Sequence, residues 1–161
     1  AQRPVLVAAL AGVLASKLRK FNHQKIATYF IGRRYTRHAG AVADRAREWG
    51  ILPVALPCLA GGSGGIDAGL GGGGTDSAML DNIAGGADGA VLHNIGVMCQ
   101  RAGFFFQSVS VQPLEALRMY EATLDSFMAK YGDNHQNVAA CYGNIGNVYK
   151  TQGNHAKALV Q

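Results

Sequence analysis

The side chains best suited to chemistry are scattered along this sequence of 161 residues. None of its histidines belongs to an HExxH pair or to another zinc-ligand spacing. The histidines are His23, His38, His93, His135 and His155. The cysteines, Cys58, Cys99 and Cys141, are odd in number and lack a CxxC spacing, which argues against a zinc knuckle and a disulfide framework. The sequence therefore predicts no metal site and no cofactor, and it favours a reducing compartment.

Acidic residues and glycines give equally little support for catalysis. Glu115, Glu121 and Asp125 have spacings typical of the solvated outer face of one helix, so we do not interpret them as an acid–base pair. Gly69, Gly71 and Gly74 satisfy G-x-G-x-x-G, but nine of the fourteen residues from 61 to 74 are glycine. A dinucleotide site also needs a strand before these glycines and a helix opening at them, and the sequence indicates neither. We therefore predict that the protein is not an enzyme.

The net positive charge of the protein is concentrated in the N-terminal quarter of the chain. Residues 1–43 contain eight lysines and arginines and no acid, although the whole chain has a net charge of only +5. The basic clusters at 17–25 and 33–37 are interleaved with aromatic residues, a mixture that can bind nucleic acid. The same mixture fits a targeting peptide or a helix on an anionic membrane surface. We consider nucleic acid an unlikely partner.

The chain divides into three predicted segments. Residues 1–60 form a basic helical region in which the apolar run Val5–Ala15 is shorter than the roughly 20 residues that span a bilayer. This run can associate with a membrane surface, act in targeting, or pack as an ordinary helix, and the sequence leaves these alternatives open. Residues 61–89 form an irregular glycine-rich linker. Residues 90–161 form a helical region.

The helical region contains two copies of a similar helix sequence. Asn94-Ile95-Gly96 recurs as Asn144-Ile145-Gly146, and the apolar positions around both copies follow spacings of three and four. Each copy reaches a glycine, Gly103 or Gly153, which we predict to be a C-cap in the left-handed conformation. A second apolar stripe follows in residues 114–132, so each unit is predicted to be a helical hairpin. Gly96 and Gly146 are expected to permit close approach of the two helices of a hairpin.

The run EALRMYEATLDSFMAKYGDNHQNVAACYGNIGNVYKTQGNHAKAL resembles the tetratricopeptide repeat, in its longer kinesin-light-chain type. The connector YGxxHxxVA of that type is present at Tyr131, Gly132, His135, Val138 and Ala139, with Gln136 where proline is common. The resemblance covers residues 91–161. It implies an all-α fold with about one and a half helical hairpins, preceded by the N-terminal helices and the glycine-rich linker.

The two copies are eight residues further apart than the family's unit of about 42 residues. The surplus lies near 104–113, where we predict an insertion into an exposed turn between the two helices. Phe104, Phe105 and Phe106 lie in this insertion and must be covered by the N-terminal segment or by a partner, which makes them a possible interface.

The resemblance also implies a concave surface that binds a peptide or another protein. Carried over from the family, the residues of that surface are Asn94, Val97, Gln100 and Arg101 in the first copy and Asn144, Asn147, Lys150 and Thr151 in the second. The recurrent asparagines can donate to and accept from a peptide backbone, but they are equally consistent with helices that only bind water.

The number of repeats also bears on function, because about three are normally needed for independent stability. The N-terminal helices act as substitute repeats, another protein covers the open end, or the chain is part of a longer array. We predict an intracellular interaction protein, either in the cytoplasm or in an organelle, that serves as an adaptor or as an accessory subunit of a larger assembly. The alternative is a peripheral or embedded subunit of a mitochondrial or plastid membrane complex, associated with the membrane through residues 5–15.

Overall fold

The structure is a computed structural model that describes residues 3–52 and 87–160. Within these two ranges the chain forms α-helices and one short 3-10 helix and no strand, so the all-α prediction is confirmed. The helices are α1 (Arg3–Leu18), α2 (Tyr29–Glu48), α3 (Ala87–Ser108), α4 (Pro113–Tyr131), α5 (Gln136–Thr151) and α6 (His155–Val160), and the 3-10 helix Ile26–Thr28 precedes α2. Cys58 and the predicted linker of residues 61–89 fall outside the described residues, apart from residues 87–89, which form the start of α3.

Local chemistry explains several helix ends. Pro113 opens α4, where its fixed φ suits the first helical turn and its missing N–H is not needed. His135 caps α5, because its Nδ1 accepts a hydrogen bond of 3.1 Å from the backbone N–H of Asn137. Gly132 and Gly153 follow α4 and α5 with φ values of 76° and 74°, which side chains disfavour. The predicted cap at Gly153 is therefore confirmed.

The predicted cap at Gly103 is wrong. Helix α3 continues through Gly103 to Ser108, and the turn that follows consists only of residues 109–112. Measured from the shared Asn-Ile-Gly, α3 is seven residues longer than α5. Seven residues make about two helical turns, so the longer helix keeps its apolar face on the same side. The insertion therefore lengthens a helix and adds little to the exposed turn.

The first hairpin is held together by aromatic rings that lie on helical glycines. A Cβ atom on Gly96 would lie 2.3 Å from Phe127 Cε1, and one on Gly103 would lie 2.6 Å from Tyr120 Cε1. Both rings are buried, and Tyr120 also donates a hydrogen bond of 2.7 Å to Gln107 Oε1. The glycines therefore allow α3 and α4 to pack closely at these two points, two helical turns apart.

The N-terminal helices pack on the first hairpin in the manner of a preceding repeat. Helix α1 runs parallel to α3, since Gly12 lies beside Asn94 and Phe21 beside Phe105. Helix α2 runs parallel to α4, since Gly40 lies beside Met119 and Arg47 beside Asp125. The buried positions 11, 14, 15, 18 and 21 of the N-terminal region have the same spacing as the buried positions 95, 98, 99, 102 and 105. The sequence left three alternatives for what packs against the repeat. At α3 the structure shows the first of them, because the N-terminal helices pack on this helix.

Phe105 links the two regions. Its ring is 3% exposed, lies edge-on to Phe21 at 5.6 Å between centroids, and fills the space that a side chain on Gly32 would need. A Cβ atom on Gly32 would lie 2.0 Å from Phe105 Cδ2. The core of the N-terminal helices is therefore continuous with the core of the first hairpin.

A long-range ion pair joins α2 to α4. Arg47 donates to Asp125 Oδ2 at 3.1 Å, and the Asp125 side chain is only 10% exposed. Asp125 therefore does not belong to a solvated outer face, and that prediction is wrong for this residue. Burial raises the pKa of Asp125 and the hydrogen bond from Arg47 lowers it, with burial the larger effect. Burial likewise raises the pKa of Glu121.

Replacing Arg47 should expose the cost of this buried carboxylate. We expect Arg47→Met to lower the free energy of unfolding by about 1–3 kcal/mol at neutral pH, because Asp125 then lacks its donor. The double variant Arg47→Met/Asp125→Leu should be more stable than Arg47→Met, since no unpaired charge remains. Urea unfolding of the three proteins measures both effects, and a double variant less stable than the single one would contradict the assignment.

The same pair predicts a pH dependence. Because the pKa of Asp125 is raised in the folded state, the folded protein takes up a proton here more readily than the unfolded chain does. Its contribution to stability is therefore largest at low pH and falls as the pH rises through the folded pKa. Removal of Arg47 raises this pKa further, so the stability difference between Arg47→Met and the parent should shrink as the pH is lowered from 7 to about 5.

Candidate functional site

The first set of predicted binding residues lies on one strip of α3. Asn94, Val97, Gln100 and Arg101 are all half-buried, in contrast to the buried residues between them. Asn94 is partly covered by α1, since its Nδ2 would lie 3.6 Å from a Cβ atom on Gly12. Val97 packs against the small core around Phe127 and Cys141. Arg101 Nε is buried without a hydrogen-bond partner in the described part of the chain.

The second set lies on α5 and is more accessible. Asn147, Lys150 and Thr151 are exposed and Asn144 is half-buried. The Thr151 hydroxyl donates a hydrogen bond of 2.7 Å to the backbone oxygen of Val148, so this hydroxyl is less available to a ligand. Asn147 and Lys150 lie at the edge of a cleft of about 570 Å³ between α5 and α6. The other residues of the cleft are Ala139, Tyr142, Gly143, Gly146, Ala158 and Leu159.

The cleft corresponds to the part of the first hairpin that is filled by aromatic rings. There Phe127 lies on Gly96, whereas the equivalent Gly146 lines the cleft. The described part of α6 contributes Ala158 and Leu159, and Leu159 is 88% exposed. The cleft therefore combines an apolar floor with an amide and an ammonium group at its edge, which suits an amphipathic peptide segment.

The structure does not merge the two predicted sets into one compact site. Helix α5 packs mainly on α4 and α6, whereas α3 packs on α1, α2 and α4. Val97 provides the connection, because it contacts the same small core as Val138 and Cys141 of α5. The accessible strip of α3 and the cleft at α5 are thus neighbouring surfaces on successive helices.

The three phenylalanines of the insertion occupy different surroundings. Phe105 and Phe106 are buried inside the chain, at 3% and 9% exposure. Phe104 is half-buried and lies edge-on to Tyr120, with ring centroids 5.9 Å apart. The N-terminal region approaches Phe104 and Phe105. The ring centroids of His23 and Phe104 are 6.1 Å apart, and those of Phe21 and Phe105 are 5.6 Å apart.

The chemically versatile side chains have structural surroundings. Cys99 and Cys141 are buried, and burial raises the pKa of each thiol to about 12, which disfavours the reactive thiolate. His93 Nδ1 lies 2.8 Å from the Tyr131 hydroxyl, and burial together with Lys130 and Arg19 lowers its pKa. Across residues 3–52 and 87–160, no three His, Cys, Asp or Glu side chains are grouped closely enough to hold a metal ion.

Two surfaces were not predicted in this form from the sequence. Helix α1 buries one face against α3 but leaves Val5, Leu6, Leu10 and Val13 between 42% and 69% exposed. No helix among the described residues is long and apolar enough to cross a membrane. The second surface is a basic cleft beside α2, to which Arg118 of α4 contributes. The sequence shows the cluster of arginines at 33–37. It does not indicate that Arg118, more than 80 residues further along the chain, lies beside them.

Antiparallel helical hairpins packed in succession define an α-helical repeat protein. Residues 88–161 match the tetratricopeptide repeat family, so this segment is a tetratricopeptide repeat, and the kinesin-light-chain type is consistent with the match. No curated protein and no solved structure matches the chain. A tetratricopeptide repeat indicates a protein–protein interaction module and is in general a non-enzymatic fold.

Proposed function

We propose that this chain is a non-enzymatic adaptor or accessory subunit that binds a protein partner through the cleft between α5 and α6. The observation that carries the proposal is the pair of exposed polar side chains, Asn147 and Lys150, at the edge of a cleft that Tyr142 and Gly146 also line. An apolar side chain of a partner placed in this cleft would remove apolar surface from water.

Polar residues at the edge of the cleft would orient the partner. Asn147 can donate to and accept from a peptide backbone, and Lys150 can donate to a backbone oxygen or a carboxylate. Both are exposed and neither has a side-chain hydrogen bond to another described residue. Their availability supports binding at this cleft more strongly than at the α3 strip, where α1 partly covers Asn94.

A capture experiment with matched variants tests the proposal. Immobilised protein is used to capture a partner, and native mass measurement then establishes the stoichiometry. Asn147→Ala/Lys150→Ala should weaken the captured complex about tenfold or more, because two donors at the edge are lost. Gln24→Ala/Lys25→Ala likewise removes one side-chain amide and one ammonium group, from an exposed site in the N-terminal region, and should leave affinity unchanged. A partnerless monomer, or equal losses in both variants, would contradict the proposal.

The exposed apolar face of α1 favours a second candidate, a peripheral subunit of an organellar membrane complex. Val5, Leu6, Leu10 and Val13 lie on the side of α1 that faces away from α3, and Lys17 follows them on the same helix. Such a helix can lie in a lipid interface with its apolar side inward. Flotation with anionic vesicles tests it: Leu6→Ser/Leu10→Ser/Val13→Ser should abolish flotation, whereas the exposed control Ile26→Ser should not. Absence of flotation by the parent protein would exclude this candidate.

A further inference from the structure

A basic cleft lies between the N-terminal half of α2 and the start of α4, on different elements from the cleft at α5. Its volume is about 740 Å³, and its floor includes the buried rings of Phe105 and Phe106. The polar residues of its walls are Arg33, Arg34, Thr36, Arg37, His38, Ser110, Gln112, Glu115 and Arg118. Positive groups thus converge on one concavity from two helices.

Arg33, Arg34 and Arg37 of α2 form no ion pair with any acidic side chain that the structure describes, whereas Arg45 and Arg47 of the same helix do. Arg33, Arg34 and Arg37 are all exposed, and each lies three or four residues from another, so their like charges repel on one helix face. The first turn of α2 contains no acid that would relieve this repulsion. An arrangement that costs stability in the free protein is expected where an anionic ligand later neutralises it.

Arg118 closes the other side of the cleft and is held in place. Its Nη1 donates to both carboxylate oxygens of Asp44 at 3.0 Å, and its Nε lies 3.3 Å from Glu115 Oε2. A Cβ atom on Gly40 would lie 3.0 Å from Arg118 Nη2, so glycine at this position gives the guanidinium room to lie against α2. The charge of Arg118 is thus already neutralised, and Arg33, Arg34 and Arg37 supply the uncompensated charge.

We propose that this cleft binds a short acidic segment of a partner protein. Guanidinium groups pair with carboxylates through two parallel hydrogen bonds, and three of them within about one helical turn match a run of a few acidic side chains. The positive region is short, because Glu115 lines the cleft and Asp44 accepts hydrogen bonds from Arg118 at its edge. These acids disfavour the long row of phosphates of a nucleic acid and the continuous negative surface of a membrane. The apolar floor adds a place for one non-polar side chain of the segment.

A labelled hexaglutamate peptide is a suitable probe for the full chain in fluorescence polarisation. Binding should be saturable at low salt and weaken as salt is added. Arg33→Gln/Arg34→Gln/Arg37→Gln should weaken binding about tenfold or more. The control Arg19→Gln/Lys20→Gln/Lys25→Gln removes the same number of positive charges from exposed positions outside the cleft and should change affinity less than twofold. Glu115→Gln should tighten binding, since it removes the acid nearest to the site.

Thermal unfolding provides a check that distinguishes lost binding from lost structure. The Arg33/Arg34/Arg37 variant should melt no lower than the parent, because repulsion is removed. The proposal is overturned if hexaglutamate fails to saturate at low salt, if the control loses as much affinity as the cleft variant, or if Glu115→Gln weakens binding. Tighter binding of a twelve-residue oligothymidine or of phosphatidylserine vesicles, lost in the same cleft variant, would assign the cleft to nucleic acid or membrane instead. None of these results depends on the α5–α6 cleft.

Discussion

Replacing Phe105 with alanine should lower the free energy of unfolding by about 3–5 kcal/mol, the largest effect that we expect from a single substitution in this chain. Phe105 is 3% exposed and contacts both Phe21 and the backbone at Gly32. Its removal leaves a cavity between the N-terminal helices and the repeat, because α1, α2 and α3 meet at this ring. Guanidinium unfolding measures the loss.

Phe30→Ala is the matched control for this substitution. Phe30 also lies in a helix, the N-terminal helix α2, but it is 66% exposed. Its replacement should change stability by no more than about 0.5 kcal/mol. If both substitutions have similar effects, the N-terminal helices do not pack on α3 as described.

A double variant sharpens the test. A methyl group at position 32 would collide with the Phe105 ring in the parent protein, so Gly32→Ala alone should be destabilising. In the Phe105→Ala background the same methyl group enters the new cavity, and its cost should largely disappear. Additive effects would show that the two residues are not in contact.

The cooperativity of unfolding follows from the same contact. Trp49, at the end of α2, is the only tryptophan in the sequence, so its fluorescence follows the N-terminal helices. Far-UV circular dichroism follows all helices. Because the N-terminal core is continuous with that of the first hairpin, the two signals should change together in the parent protein and separate in Phe105→Ala.

Two glycine-to-alanine substitutions in the repeat are expected to act in opposite directions. Gly96→Ala should lower the free energy of unfolding by about 2 kcal/mol, since the new Cβ atom would lie 2.3 Å from the buried Phe127 ring. This loss outweighs the gain in helix propensity of about 1 kcal/mol. Gly143→Ala should instead stabilise by up to about 1 kcal/mol, because nothing lies within 4 Å of its Cβ position in α5.

Urea unfolding of both variants checks this pair of predictions, with the parent as reference. The sign of the difference carries the information, since both substitutions make the same chemical change inside a helix. Stabilisation by Gly96→Ala would show that α3 and α4 are further apart than described. Destabilisation by Gly143→Ala would show that the face of α5 at Gly143 is covered in the protein.

The sequence by itself determined the features that depend on neighbours along the chain. The spacing of apolar residues predicted the helices, and the repeated Asn-Ile-Gly predicted two hairpins, because one face of a helix must be apolar to be buried. The left-handed conformation of Gly153 and the structural role of His135 also followed from local motifs. The predicted binding residues on α3 and α5 are placed on accessible or half-buried helix positions, although their role in binding stays a prediction.

Only the tertiary structure decided the features that depend on residues far apart in sequence. A glycine after an apolar stripe suits both a helix cap and a close helix contact, and Tyr120 selects the second role for Gly103. In the same way Arg47 removes Asp125 from the solvated face, although 77 residues separate them. The cover that α1 and α2 provide for α3 has the same origin. Spacing along one helix records which face is buried but not which distant side chain buries it, and that pairing is a property of the packed chain.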